Sequence, residues 1–370
     1  MYNYLVVGAG LFGAVFAAIM NENGKSCLVI DKRSHVGGNV YQKEEAGIRI
    51  HLYGPHIFHT DNEEVWRFIN QYGRFNHFIN SPLACYKGRL YNLPFNMNTF
   101  SQLWNICSPE EAKMIISRQR EKYNCILEPS NLEEQALKLC GDDIYHTFIK
   151  EYTEKQWGRP ARELPADIIK RVPFRFTFDN NYYNDTYQGI PVDGYNEIIK
   201  KLLTGRYIQV KTKSDFFNDR YGFERIAEKV LFTGCIDAYF DYRFGQLAYR
   251  SLRFEHFHLV TDNYQGNAVV NFNEATTLYT RIIEHKHFEF GQQPTTVITK
   301  EYPKEYTQSD EPYYPVNDLI NTRRLNEYKT LSANYPHVIF GGRLGAYSYL
   351  DMDDTIAEAI ALAKKELTHK

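Results

Sequence analysis

Apolar positions at the start of the chain change period twice before Asp31. Residues 4–7 are a short β-forming run, residues 12–20 are apolar at helical spacing and close at Asn23-Gly24, and Cys27–Ile30 is β-forming again. That order predicts a β-α-β unit. Farther on, a helix is expected over 63–72, and Lys87-Gly88 between two β-forming runs predicts a hairpin over 84–92. From 98 to 156 the pattern is helical. There Ser108-Pro109-Glu110-Glu111 and Asn131-Leu132-Glu133-Glu134 read as helix starts, each with a capping side chain followed by acids. Residues 171–188 are aromatic and asparagine-rich, which predicts a loop, and 195–203 predict a helix. Short strands are expected within 207–240, 249–257, 268–272, 296–302 and 338–342, and an amphipathic helix over 353–367.

The turn inside the β-α-β unit carries the first chemistry. Gly8, Gly10 and Gly13 form G-x-G-x-x-G between strand and helix, and Asp31 follows about 20 residues on. Alone the motif is weak, but this context is the one a dinucleotide requires. Gly8 permits the tight turn, Gly10 lets a pyrophosphate reach the backbone at Leu11 and Phe12, and Gly13 lets the helix approach the sheet. The helix N-terminus presents free N–H groups to the phosphates, and Asp31 can accept from ribose hydroxyls.

Composition narrows the remaining classes. Forty-three basic and 45 acidic residues give a net charge of -2, so no general basic field exists to hold nucleic acid. The six cysteines include no C-x-x-C pair, which favours a reduced, cytoplasmic setting, and no ligand cluster accompanies His285 and His287, so no metal is expected. No apolar run is long enough to predict stable membrane insertion. Twenty-nine Tyr and 24 Phe suit a site that stacks rings and donates phenol hydrogen bonds, as well as ordinary cores.

Asp31-Lys32-Arg33 through Gly37-Gly38-Asn39 resembles the second glycine-rich element of large flavoprotein families. Gly341-Gly342-Arg343 through Asp351-Met352-Asp353, with Thr355 beyond, resembles their late FAD-binding element. More specific strings follow: Tyr53-Gly54-Pro55-His56-Ile57-Phe58-His59-Thr60, Asn92 to Phe100, Tyr152-Thr153-Glu154-Lys155-Gln156-Trp157-Gly158, Ile169 to Pro173, Phe178 to Tyr182, Tyr279 to Lys286, and Glu311 to Val316. On these strings, spread in order over the whole chain, the sequence resembles the bacterial UDP-galactopyranose mutase family.

The resemblance implies an α/β fold: a Rossmann-like FAD-binding domain (1–75, 195–245 and 315–370), a helical insertion (98–156) and an antiparallel β-sheet domain (76–97, 157–194 and 246–314). It implies interconversion of UDP-galactopyranose and UDP-galactofuranose by reduced FAD, whose N5 attacks the anomeric carbon to give a flavin–sugar adduct without net redox. It also implies a homodimer. Arg171 and Arg281 would clamp the diphosphate, with Arg250 a weaker candidate. Tyr182, Tyr314 and Tyr349 would donate to phosphate, Tyr152 would stack on uracil beside Phe148 and Thr153, and Trp157 would lie under the sugar. Asn80 would meet sugar hydroxyls. Gly10, Leu11, Phe12, Asp31, Lys32, Arg33, Gly38, Asn39, Arg343, Asp351, Met352 and Thr355 would hold FAD, with His56 and His59 at the isoalloxazine. Rival readings are an amine-oxidase-type flavoenzyme, a UDP-N-acetylgalactosamine mutase, and a non-catalytic sensor of nucleotide sugars or redox state.

A loop around Arg171 should close over bound substrate. Crystals grown with and without UDP-galactose would test this, and an unmoved loop with Arg171 directed away from the diphosphate would refute it.

Overall fold

The computed structural model describes residues 1–169 and 172–368. Its first sheet is parallel throughout. Tyr2–Val7 lies at the centre, with Cys27–Ile30 and then Ile208–Lys211 on one side, and Ala227–Phe232 and then Val338–Phe340 on the other. Both faces are covered, so its inner strands are apolar without alternation. One face packs on helices Leu11–Glu22 and Met352–Thr368, the other on Phe216, Tyr239 and Tyr328. The two helices approach through small buried residues, Ala14, Ala17 and Ala18 on the first and Ala359 and Ala363 on the second.

The second sheet runs in the order Tyr314–Pro315, Tyr249–Leu259, Thr296–Glu305, Arg281–Glu284, Val269–Phe272, Leu83–Tyr86, Arg89–Asn92. All its pairs are antiparallel except one: Val269–Phe272 lies parallel to Leu83–Tyr86. The chain leaves the sheet at Asn92 and re-enters it only at Tyr249, and that excursion removes the hairpin constraint on direction. The hairpin at the sheet's edge turns through Lys87 and Gly88, both at positive φ, 51° and 73°. This is the geometry that two-residue turns favour.

Against the hairpin edge of the second sheet packs a helical block with its own core of Phe100, Ile116, Leu137, Tyr145 and Phe148. Ser108 and Glu111 form a reciprocal capping box, and the Asn131 side chain accepts from the Glu134 N–H at 3.0 Å. Residues 145–149 make a π-helical turn ahead of helix Lys150–Trp157. Two elements carried no usable periodicity. Helix Leu319–Ser332 buries only Asn321 and Tyr328 and leaves Leu319 and Ile320 in solvent. The hairpin Gln42–Glu45/Ile48–His51 is short and polar on one strand. Among the described residues no helix is long and apolar enough to cross a membrane.

Where the second sheet meets the first domain, several titratable groups are buried. Burial pushes the His285 imidazole down to about 3, and its ring nitrogens meet the His51 N–H and the Thr299 hydroxyl. Burial alone would raise the Glu284 carboxyl, but hydrogen bonds from His287, the Gln265 and Tyr264 N–H groups and Thr296 outweigh it, leaving it at about 2. Below the ordinary histidine range the unfolded chain binds a proton that folded His285 refuses. Stability therefore falls as pH drops from about 6.5 toward 3. Glu284 adds a loss as pH falls from about 4.5 toward 2. Urea unfolding should show about 2 kcal/mol less stability at pH 5 than at pH 7 from His285 alone, with a shallower pH slope in His285→Gln.

Candidate functional site

Two glycine-rich loops touch through bare backbone. A Cβ on Gly8, whose φ is +109°, would come within 2.1 Å of Thr233 Oγ1. One on Gly13 would come within 2.2 Å of the Gly8 carbonyl, and one on Gly38 within 2.9 Å of Gly10 Cα. The Gly37 N–H donates to Ala9 O at 2.8 Å, which ties the loops together. Asp31 is buried at their base. One of its carboxylate oxygens accepts from the Ala9 N–H and the other from the Arg33 N–H, each at 2.9 Å. Its first task is thus to hold the glycine turn, and a ribose hydroxyl would use the remaining lone pairs.

Beside Asp31, Arg33 donates to Glu311 at 2.8 Å and to Asn39 Oδ1 at 3.1 Å, and its guanidinium lies 4.5 Å from the Tyr53 ring centre. Lys32 approaches the same Glu311 at 3.5 Å. Both cations are therefore already countered by a carboxylate from a distant segment. The cavity floored by these loops has a volume of about 670 Å³ and extends to Arg281, Glu301 and Tyr314. Leu11, Phe12, Arg343, Tyr349, Asp351, Met352 and Thr355 also line it. Arg343 donates to the carbonyls of Tyr313 and Pro312. The Thr355 N–H and hydroxyl both donate to Asp351 O, at 2.9 and 2.8 Å, which starts the last helix at the cavity wall.

Two histidines face this cavity in different ways. His56 bonds Gly54 O through Nδ1 at 2.8 Å, and burial pushes it down to about 4. It is neutral, and its Nε2 is an acceptor. His59 sits on the short strand Phe58–Thr60, stacks on Tyr183 with ring centres 3.7 Å apart, and pairs through Nδ1 with the Asp185 carboxylate.

A second cavity, about 390 Å³, adjoins the first, and Pro55, Ile57, Tyr183 and Arg281 line both. Arg281 is at their junction. Its Nε lies 3.2 Å from Glu301 Oε1, and its Nη2 donates to the Tyr152 hydroxyl at 3.1 Å. Arg281 and Glu301 face each other across neighbouring antiparallel strands. Glu301 is 1% exposed; burial raises its carboxyl and Arg281 opposes that rise, while the pair keeps the guanidinium charged. Donors on Arg281 remain for a ligand. Asn80, Phe148, Tyr152 and Tyr182 line the second cavity. The Tyr314 phenol, raised by burial and then by Glu301, stays protonated.

Three expected site residues line neither cavity. Arg250 lines neither cavity; it is buried, donates to Gln156 O at 3.0 Å and pairs with Glu305, so its charge is spent inside the fold. Trp157 ends its helix against the helical core and lines neither cavity, because the chain turns away at Gly158. Thr153, on the same helix, also lines neither. Arg171 lies outside the described residues.

Other residues at the site were not anticipated: Glu301, Tyr183, Asp185, and Lys155 in its structural role. Lys155 Nζ lies 2.7 to 3.0 Å from four carbonyls, of Phe272, Glu274, Thr277 and Tyr279, which share its three N–H donors. It thereby fixes the loop between strands Val269–Phe272 and Arg281–Glu284. No local pattern marks Glu301, which matters through Arg281 on the neighbouring strand, and the string that holds Lys155 does not show that it acts through carbonyls more than a hundred residues away.

A family model described as UDP-galactopyranose mutase matches residues 147–349, and one described as NAD(P)-binding Rossmann-like domain matches residues 6–72. A Klebsiella pneumoniae protein named probable UDP-galactopyranose mutase is 40% identical over 370 residues, covering 99% of this chain and 95% of its own. An Escherichia coli dTDP-fucopyranose mutase is 39% identical over 377 residues, covering 98% of each chain. The crystal structure of a reduced UDP-galactopyranose mutase shares the fold, with a TM-score of 0.75 at 14% identity over 99% of this chain and 96% of that one.

Replacing Lys155 by Met should leave its carbonyl cage unsatisfied, at a cost of roughly 2–4 kcal/mol. Denaturant unfolding should report that loss; unchanged stability would show that the cage is dispensable.

Proposed function

The chain belongs to the UDP-galactopyranose mutase family, and we propose that it interconverts UDP-galactopyranose and UDP-galactofuranose using reduced FAD. The observation that carries this reading is Arg281 at the junction of the two cavities, charged, held by Glu301, and open to both. One cavity suits a dinucleotide cofactor and the other a sugar nucleotide, so a diphosphate bound at Arg281 would leave its sugar between them.

The residues present fit FAD. The Gly10–Gly38 contact is a cradle that a single Cβ would fill, and the N-terminus of helix Leu11–Glu22 opens onto it. Gly10, Leu11, Phe12, Asp31, Gly38 and Asn39 would hold the adenosine and pyrophosphate part, and Arg343, Asp351, Met352 and Thr355 the part nearer the second cavity. Bound and reduced, the flavin would supply a nucleophilic nitrogen, N5, close to the anomeric carbon, for a reaction with no net redox.

The chain's own residues bind, orient and stabilise charge. Arg281 would take the diphosphate through its free N–H groups, and these interactions strengthen as UDP departs. Arg171 would act with it, a role that rests on its sequence context. Tyr182, Tyr314 and Tyr349 would add neutral donors, while Tyr152 and Phe148 would wall the base. Neutral His56 would accept at the flavin edge, and His59, oriented by Asp185, would face the same edge. Asn80 would meet sugar hydroxyls. The charged Arg281–Glu301 pair is a poor match to the apolar cage that an amine oxidase needs. A cytoplasmic homodimer completes the reading.

The test is anaerobic incubation of FAD-loaded protein with UDP-galactopyranose, UDP-N-acetylgalactosamine and dTDP-fucopyranose, with products separated by chromatography. UDP-galactofuranose should form only after dithionite reduction, and Arg281→Lys should lower kcat by about 10²–10³-fold. Oxygen consumption by oxidised enzyme, or no furanose from any substrate, would overturn the proposal.

A further inference from the structure

Strand Val269–Phe272 and its continuation order the second cavity. Val269, Asn271 and Asn273, alternate residues on one face, all line it. Asn271 is in register with Arg281, and Asn273 is one side-chain step, about 6.6 Å, farther along the strand. That step brings it to Phe148, whose carbonyl accepts from Asn273 Nδ2 at 2.7 Å. Phe148 belongs to the π-helical turn, where the ladder shifts and a backbone carbonyl can take a side-chain donor.

The bond to Phe148 fixes which way the Asn273 amide points. Its nitrogen faces the helix, and its oxygen has no hydrogen-bond partner among the described residues, although the residue is only 4% exposed. Its neighbours in the cavity include Phe95, Phe148 and Tyr152. A buried carbonyl oxygen left unpaired is costly, so a donor from a ligand is the natural partner. The site therefore holds a fixed acceptor beside aromatic walls, one strand step from the guanidinium that would bind diphosphate.

We infer that Asn273 is a specificity-determining residue that reads the nucleobase: its amide oxygen accepts the N3–H of a uracil-type imide. In uridine that N–H is the ring's one donor, because N1 carries the ribose. Cytosine presents a lone pair at N3, and its amine is displaced to the neighbouring ring position. An amide free to rotate could serve either base by exchanging its ends, but the Phe148 carbonyl holds this one in a single orientation. The inference rests on reading the second cavity as the nucleotide half of the mutase site.

The FAD-loaded protein should be titrated with UDP, CDP and N3-methyl-UDP by calorimetry, in wild type, Asn273→Leu and Asn273→Asp, with flavin content recorded for each. Wild type should prefer UDP to both analogues by about tenfold or more. Asn273→Leu, lacking the acceptor, should bring UDP and CDP within about twofold. Asn273→Asp, which retains an acceptor, should keep a UDP preference. Equal wild-type affinities for UDP and CDP, or an Asn273→Leu variant with normal flavin content and an unchanged UDP:CDP ratio, would overturn the inference while leaving the mutase reading intact. If Asn273→Leu does not fold, the wild-type comparison of UDP with N3-methyl-UDP decides, and equal binding refutes the role. Wild type that binds none of the three and converts no UDP-galactopyranose would overturn both.

Discussion

The pair of half-buried Arg281 and buried Glu301 is the interaction on which the site's geometry depends. A guanidinium withdrawn into a cavity wall is held in place by a counter-charge. Glu301 supplies the charge from the neighbouring strand, and the Tyr152 hydroxyl accepts from Nη2. The antiparallel register that sets Arg281 opposite Glu301 also turns the remaining N–H groups toward the junction of the cavities. A slip of one residue between these strands would put the two side chains on opposite faces of the sheet. The Lys155 cage holds the adjoining loop and so defends the same register from outside.

The cofactor end follows a different rule. There the design is subtractive: glycines remove side chains where two loops must meet. Gly10 and Gly38 leave room for a phosphate to approach backbone, and Asp31 spends its carboxylate on the backbone of these loops. Cations in that region are paired with Glu311, so the loops offer N–H groups more than net positive charge. At the other end charge is concentrated, and Arg281 is left with donors to spare. That asymmetry matches the proposed reaction, in which a cofactor would stay bound and a diphosphate would leave and return.

Local sequence exposed the first end more fully than the second. The glycine spacing and the strand ending at Asp31 state their purpose within forty residues, because turn, helix start and phosphate contact are all short-range. Arg250 and Arg281 look alike as arginines in β-rich segments, yet one is consumed by Glu305 and Gln156 O and the other faces a cavity. Trp157 shares a string with Tyr152, but five positions later on the same helix it faces the helical core instead of the cavity. Glu301 has no local mark at all; it becomes legible only when register sets it against Arg281.

By itself the sequence determined the β-α-β unit, its phosphate-binding turn, the capped helices of the insertion and, through strings spread along the chain, the family. Periodicity, capping and turn chemistry act between near neighbours, so one dimension records them. Tertiary structure alone decided which arginine is free, which carboxylate holds it, how two cavities share a wall, and which amide oxygen is left unpaired beside Phe148. Those outcomes depend on strand register and on contacts between segments more than a hundred residues apart, and on the burial that makes an unpaired charge or carbonyl costly.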